Sequence, residues 1–356
     1  MSNASESFDF GGLTVGGSAR CLVIAEAGVN HNGDAALAER LIDVAAEAGA
    51  DVVKFQTFDP DALAGPGADM AEYQTRALGT SKSQLEMLRG LTLPLEAYER
   101  LLAHAKKRGI LFLSTPFDPK SADFLERLGL PAFKLSSGDL TNTVLLSHVA
   151  KKGRPLLVSS GMATMGEVAA ALDVVHANGA PPVALFHCVS NYPADPSDCN
   201  LRAMAAMKQA FRVPVGWSDH TMGIDVAVAA VALGAELLEK HVTLDRTMPG
   251  PDHAASLEPN ELKELLNGIR RVESALGDGV KRPRPSEAPI AQIGRRSLHW
   301  ARSLEDGAVV TADDMTVLRP ATGVEPAAMP WILGRVVRRP VKAGTPVTFA
   351  DFEASR

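Results

Sequence analysis

The segment Val52-Val53-Lys54-Phe55-Gln56-Thr57 (VVKFQT) is an apolar run of strand length with a lysine set inside it. Side chains alternate across a strand, so Lys54 and Gln56 share one face while Val53 and Phe55 share the other. At a sheet edge, such a lysine can lay its stem along apolar surface and keep its ammonium in water. In a closed barrel, the apolar pair meets the surrounding helices and the lysine points inward. A buried ammonium costs roughly several kcal/mol unless an anion faces it, so the inward reading makes Lys54 an anion-binding residue.

This run, over 51–55, is the second of eight in the same texture. The others lie at 22–25, 110–113, 132–136, 155–159, 183–188, 213–217 and 235–241. Amphipathic helical stretches alternate with them at 35–48, 95–107, 121–128, 166–178, 201–210 and 225–233, and 258–276 closes the series. Strand–helix units in succession predict a parallel sheet covered by helices. Eight units close a cylinder, and about 250 residues is the usual size of one. The expected fold is therefore α/β, a (β/α)8 TIM barrel over residues 1–277. A doubly wound open sheet is the competing architecture, but its G-x-G-x-x-G fingerprint does not follow the first strand.

Residues 278–294 (DGVKRPRPSEAPIAQIG) read as a linker, with three prolines among charges and no apolar period. Short strand-like pieces follow, at 297–300, 309–310, 316–318, 335–337 and 346–349. Two segments of this tail echo each other, LEDGAVVTADDM from Leu304 and VKAGTPVTFADF from Val341. Each has Gly fourth, Val-Thr seventh and eighth, and Asp eleventh. Residues 295–356 are thus expected to form a small β-rich domain of two similar halves.

The chain carries a net charge of -6, which argues against nucleic acid as its partner. From Lys281 onward the balance is +4, leaving -10 on the rest, so a basic tail follows an acidic body. Such a pair of domains is suited to meet each other or a shared anion. Three cysteines are too few for a disulfide framework and suit a reducing cytoplasm. No apolar run approaches the roughly 20 residues that span a bilayer, so no membrane role is expected. The polar, acidic start lacks the layout of a signal peptide.

Active sites of such barrels sit where strands end, which directs attention to polar strand ends. Glu26 follows the first strand. Lys134 precedes Ser136, Ser137, Gly138 and Asp139, and Ser159-Ser160-Gly161 ends another strand before a helix. Hydroxyls and free N–H groups at such turns suit anions, although serine also caps helices there. Two lysines and two such turns can together neutralise a phosphate and a carboxylate. His220 lies just past the seventh strand and His241 ends the eighth. Neighbouring strands lie about 4.8 Å apart, so the imidazoles either share one divalent ion or include a core histidine satisfied by its neighbours. Two ligands would leave positions open for water or a substrate oxygen. His31 and His187 are further candidates for ligand or acid–base work. Asp219 and Asp252 sit near strand ends, where a carboxylate is commonly a helix cap.

Together, IAEAGVNHNG, ADVVKFQT, STPFD, FKLSSGDLTN, SSGM, HCVSNYP, GWSDHT, LEKHVT, GPDHAASLEP and the tail's LRPATG resemble the motifs of the N-acetylneuraminate (sialic acid) synthase family, legionaminate synthases included. The tail resembles that family's antifreeze-like (SAF) domain, and the likeness runs from about Cys21 to Glu353. It implies a transferase that condenses phosphoenolpyruvate with an open-chain N-acetylated amino sugar and water, releasing phosphate by C–O cleavage. The sugar would be N-acetylmannosamine or a diacetamido-dideoxyhexose. A divalent ion, Mn²⁺ or Mg²⁺, is implied on His220 and His241. Lys54, Thr115, Lys134, Ser137 and Ser159 correspond to phosphoenolpyruvate-binding positions, and Glu26 to the glutamate that handles water or a proton. Gln56, Asp139, Ser190, Tyr192 and Asp252 correspond to positions near the sugar. Arg319 resembles a tail arginine that enters a neighbouring subunit's site, which implies a domain-swapped homodimer.

Asp139 stands where glutamate is usual, Ser190 where some members have asparagine, and Ala321 where glycine is common. These departures bear on the sugar and leave the reaction class intact. Two rival readings remain: a barrel aldolase with Lys54 or Lys134 as Schiff-base nucleophile, and a carbohydrate- or ice-binding protein acting through its tail.

Overall fold

Period-two alternation sorts the barrel into two apolar layers. The computed structural model describes residues 6–65, 67–79 and 83–352; the first five residues and Glu353, where the family likeness ends, lie outside them. The chain divides into two compact units, Met1–Gly277 and Asp278–Arg356.

In the first unit eight parallel strands follow one another: β1 (Leu22–Gly28), β2 (Val52–Thr57), β3 (Leu111–Pro116), β4 (Phe133–Leu135), β5 (Leu156–Ser159), β6 (Val183–Cys188), β7 (Val215–Asp219) and β8 (Leu237–His241). The hydrogen-bonded order is β3-β2-β1-β8-β7-β6-β5-β4, and the outer members β3 and β4 pack beside each other to complete the cylinder. Val23, Val53, Phe55, Phe133, Val158, Leu185 and Trp217 face outward and pack on the helices. Leu22, Ile24, Val52, Leu113, Leu157, Ala184, Phe186 and Leu237 face inward. The period-two reading of VVKFQT is thus the arrangement found.

The seven expected helices all form, each within two residues of its predicted ends. Thr164-x-x-Glu167 caps Met165–Ala177 reciprocally, and Asp34 caps Ala35–Ala48. The helix Thr143–Ala150 is not among the predicted ones; it is only eight residues long, and it buries Leu145, Leu146, Val149 and Ala150. Three short helices, Pro60–Leu63, Glu72–Leu78 and Gln84–Leu91, fill the connection after β2. There Phe58, Ala64, Met87, Leu88 and Leu91 build a small core with Val29.

A hairpin of Ser7–Phe10 and Leu13–Gly16 precedes the barrel. It places Phe8, Phe10 and Val15 against the inward residues, closing the end where the strands begin. Its turn passes through Gly11 at φ 56°, where a Cβ would lie 2.7 Å from Leu111 Cδ1. No helix among the described residues is long and apolar enough to cross a membrane.

The second unit has its own core around Leu298, Trp300, Val310, Ile332, Val337 and Val347. Its two-stranded sheet pairs Ser297–Trp300 with Met315–Leu318. The other three strand-like pieces make single antiparallel bridges. The two echoing segments meet at their first residues: Leu304 N donates to Val341 O (3.1 Å) and Val341 N to Leu304 O (2.9 Å). Contacts repeat 37 positions on, with Gly307 N to Val337 O matched by Gly344 N to Trp300 O. Asp314 and Asp351 each accept a backbone N–H, from Thr311 and Thr348, and each meets an arginine, Arg302 and Arg339. Within 278–294, read from composition as a linker, residues Ala288–Gly294 form a short α-helix with Pro289 at its start.

Candidate active site

The barrel's inward faces turn from apolar to ionic near the carboxyl ends of the strands. On β1 the inward series runs Leu22, Ile24, Glu26; on β2, Val52, Lys54, Gln56; on β8, Leu237, Glu239, His241. Register places Glu26 beside both Lys54 and His241 on the neighbouring strands. Lys134, Ser159 and Ser218 enter the same cavity from β4, β5 and β7.

Two ammoniums and two carboxylates meet there, almost fully shielded from water. Lys54 Nζ lies 2.7 Å from Glu26 Oε2 and 3.6 Å from Glu239 Oε2, and donates to Thr115 Oγ1 at 3.1 Å. Lys134 Nζ donates to Ser159 Oγ at 2.6 Å and lies 3.5 Å from Glu239 Oε1. Glu239 therefore stands between both lysines, with Ser218 Oγ donating to it at 3.0 Å. Burial opposes ionisation of Glu239, but Lys134 and Lys54 outweigh it and hold the carboxylate below its usual range. Burial raises Glu26 to about 7, against the pull of Lys54. For Lys54, burial is overcome by Glu239 and Glu26, which keep it protonated; for Lys134 burial wins and the pKa falls.

The two imidazoles face the same cavity, their ring centroids 5.5 Å apart. His220 Nδ1 lies 2.6 Å from Val189 O, which assigns its proton there and leaves Nε2 with a lone pair. Burial lowers His220 to about 4 and His241 well below its ordinary value, so both rings are neutral, the form that binds metals. His241 Nδ1 has no hydrogen-bond partner and lies 4.0 Å from Asp252 Oδ2, whose pKa burial raises to about 6. Tyr192 stacks on His220 at 4.1 Å, and Tyr73 stacks on Tyr192 at 5.1 Å, roofing the histidines. Among the described residues no three His, Cys, Asp or Glu side chains converge as a metal cage. An ion held here would rest on two imidazoles, with further positions for water or substrate.

Thr115, Ser137, Ser159, Gln56, Ser190, Tyr192 and Asp252 line this cavity together with the lysines, Glu26 and the histidines. Asp139 does not. Its Oδ2 accepts from Ser136 Oγ (2.6 Å) and its Oδ1 from Asn142 Nδ2 (3.1 Å), so it holds the turn that presents Ser137. Arg319 is exposed in the second unit, in a loop pinned by Ser297 Oγ donating to Pro320 O at 2.7 Å. His31 and His187 lie off the cavity wall. His31 accepts from Gly33 N, and His187 Nε2 lies 2.9 Å from Cys199 O against Trp217. Asp219 faces outward and pairs with Lys240.

Sequence reasoning passed over Glu239, Ser218 and Cys188, although each sits on the inward parity of its strand, which was signal enough. Tyr73, Met87, Leu88 and Leu91 also line the cavity. They come from the connection after β2, where no strand period announces them.

The chain matches the NeuB family model over residues 41–281 and the SAF domain model over 295–353. It is 46% identical to the N,N'-diacetyllegionaminic acid synthase of Campylobacter jejuni over 325 residues, covering 91% of this chain and 97% of the relative. The Legionella pneumophila protein of the same name is 45% identical, covering 95% and 96%. The solved N-acetylneuraminic acid synthetase of Leptospira borgpetersenii, 35% identical, superposes with a TM-score of 0.71 over 80% of this chain and 95% of that one. These matches span both units, and the chain belongs to the NeuB family and ends in a SAF domain.

Proposed function

We propose that this protein is a nonulosonate synthase that joins phosphoenolpyruvate to the aldehyde carbon of an open-chain N-acetylated amino sugar. The observation that carries the reading is the pair of buried ammoniums, Lys54 and Lys134, in one cavity with two neutral imidazoles. The barrel unit would carry the chemistry and residues 295–356 the SAF domain. The reaction is cytoplasmic in this reading, which the three free, buried cysteines support.

Lys54 and Lys134, with hydroxyls of Thr115, Ser137 and Ser159, hold the phosphate and carboxylate of phosphoenolpyruvate. Asp139 acts indirectly, by fixing the turn of Ser137. His220 and His241 would hold the divalent ion, Mn²⁺ or Mg²⁺. The neutral rings and the unpartnered His241 Nδ1 fit that group. When bound, the ion supplies Lewis-acid polarisation of the aldehyde oxygen. The enol methylene carbon forms the new C–C bond as the aldehyde C=O π bond opens, water adds to the former enol carbon, and Glu26 passes a proton from that water to the former aldehyde oxygen. The C–O bond to phosphate then breaks, and phosphate leaves with the bridging oxygen. Fixed charges placed where charge develops supply much of the rate gain. Gln56, Ser190, Tyr192 and Asp252 contact the sugar. The names of the two bacterial relatives support a diacetamido-dideoxyhexose over N-acetylmannosamine. Arg319 completes the sugar site across a domain-swapped homodimer.

Phosphate release from phosphoenolpyruvate, measured with each of these sugars, tests the reading; no release with any of them defeats it. Oxygen-18 in the bridging position should leave with phosphate, and its retention in the sugar acid would exclude C–O cleavage. One observation favours a second reading: burial lowers the pKa of Lys134, as a Schiff-base nucleophile requires. A borohydride-trapped adduct with pyruvate would establish that aldolase instead.

A further inference from the structure

One fully buried ion pair of the barrel lies outside the cavity, in a mostly apolar layer between the strands and the helices. Lys240 and Asp219 have the opposite parity to His241 and Glu239, so they face the helices with Trp217 and Leu238. Both side chains are wholly buried, and Lys240 Nζ lies 2.8 Å from Asp219 Oδ2. A buried ion pair in such a layer adds little stability, since apolar residues of similar volume often serve equally well. Its value here lies in what it spans.

The two residues are register partners on β7 and β8, and each immediately precedes one of the cavity histidines. Asp219 Oδ1 accepts from Thr221 N (3.0 Å) and Thr221 Oγ1 (2.8 Å), closing a turn with His220 at its centre. Lys240 Nζ reaches across the same turn to Thr221 O at 2.5 Å while holding Asp219 Oδ2. One ammonium thus ties both ends of the His220 turn to the residue next to His241.

We propose that the Lys240–Asp219 pair is a positioning clamp that sets the separation of His220 and His241, and with it the affinity of the site for a divalent cation. The clamp touches neither substrate nor ion, and it rests on the reading of those histidines as metal-binding.

The test is Mn²⁺ binding to the metal-free full chain by calorimetry, with a thermal melt of each variant. In Asp219→Asn/Lys240→Met both charges go together, and the asparagine oxygen still accepts from Thr221. This variant should stay folded, and its Mn²⁺ dissociation constant should rise about ten-fold, as loss of an orienting partner does at metal sites. Wild-type affinity in the folded double variant overturns the clamp. If that variant does not fold, Lys240→Arg takes its place, because the longer, planar fork displaces both donors. Weakened Mn²⁺ binding then supports the clamp, and unchanged affinity overturns it. His220→Ala, titrated alongside, separates the two failures: loss of binding there confines any negative result to the clamp. Retention of binding there removes the histidine assignment, and the clamp with it.

Discussion

Lys54 Nζ lies 2.7 Å from Glu26 Oε2 in a barrel interior where both side chains are almost fully shielded from water. Burial raises Glu26 to about 7 in spite of that ammonium, so its proton is exchanged near neutral pH. As a general base Glu26 works ionised, and kcat/KM for phosphoenolpyruvate should rise with pH up to about 7. Stability runs the other way. A carboxylate with a raised folded-state pKa binds its proton more tightly when folded, so its contribution is full below the unfolded value near 4.5 and is lost as pH rises through about 7. Glu26→Gln should remove the rising limb of activity and, relative to the parent, raise the urea midpoint at pH 8 more than at pH 5; an unaltered limb in this variant excludes Glu26 as the group.

His220→Ala and His241→Ala should each abolish phosphate release at every Mn²⁺ concentration, because a two-ligand site cannot spare one. Full activity in either variant would refute the assignment.

Lys54→Met should act on stability and on binding together. It leaves Glu26 and Glu239 facing one remaining ammonium, and stranding a buried charge costs about 3–5 kcal/mol. Its KM for phosphoenolpyruvate should rise far more than its KM for the sugar, as steady-state kinetics would show. Lys134→Met should show the same preference, and equal effects on both substrates would place the anion elsewhere.

Arg319→Ala should leave phosphoenolpyruvate binding intact and raise the sugar KM. Equal effects on the two constants would count against a tail arginine serving the sugar, and a monomer by sedimentation would count against the swap.

Phe10→Ala should lower stability without touching catalysis. Its ring fills the end of the barrel remote from the ionic cavity. Removal of a buried phenylalanine costs about 3–5 kcal/mol. A denaturation midpoint that does not move would mean that the hairpin is no plug.

Much of this site was legible before any fold was drawn. VVKFQT carries its own parity, and once eight such runs are read as a closed sheet, Lys54, Glu26, Lys134 and the two histidines must converge. Glu239 was equally legible by parity, two positions before His241, but a glutamate inside LLEKH draws less notice than the histidine that ends it.

The sequence by itself determined which residues face inward, because alternation is a property of each strand and needs no partner. It also determined the halves of the tail, whose echo returns as the paired backbones of Leu304 and Val341. Only the tertiary structure decided who meets whom. Asp139 turned to Ser136 and Asn142, Asp219 to Lys240, and Phe8 and Phe10 to the barrel floor. Apart from the local turn of Asp139, these contacts join residues far apart in the chain, and their distances are set by closure of the sheet, which no local pattern encodes.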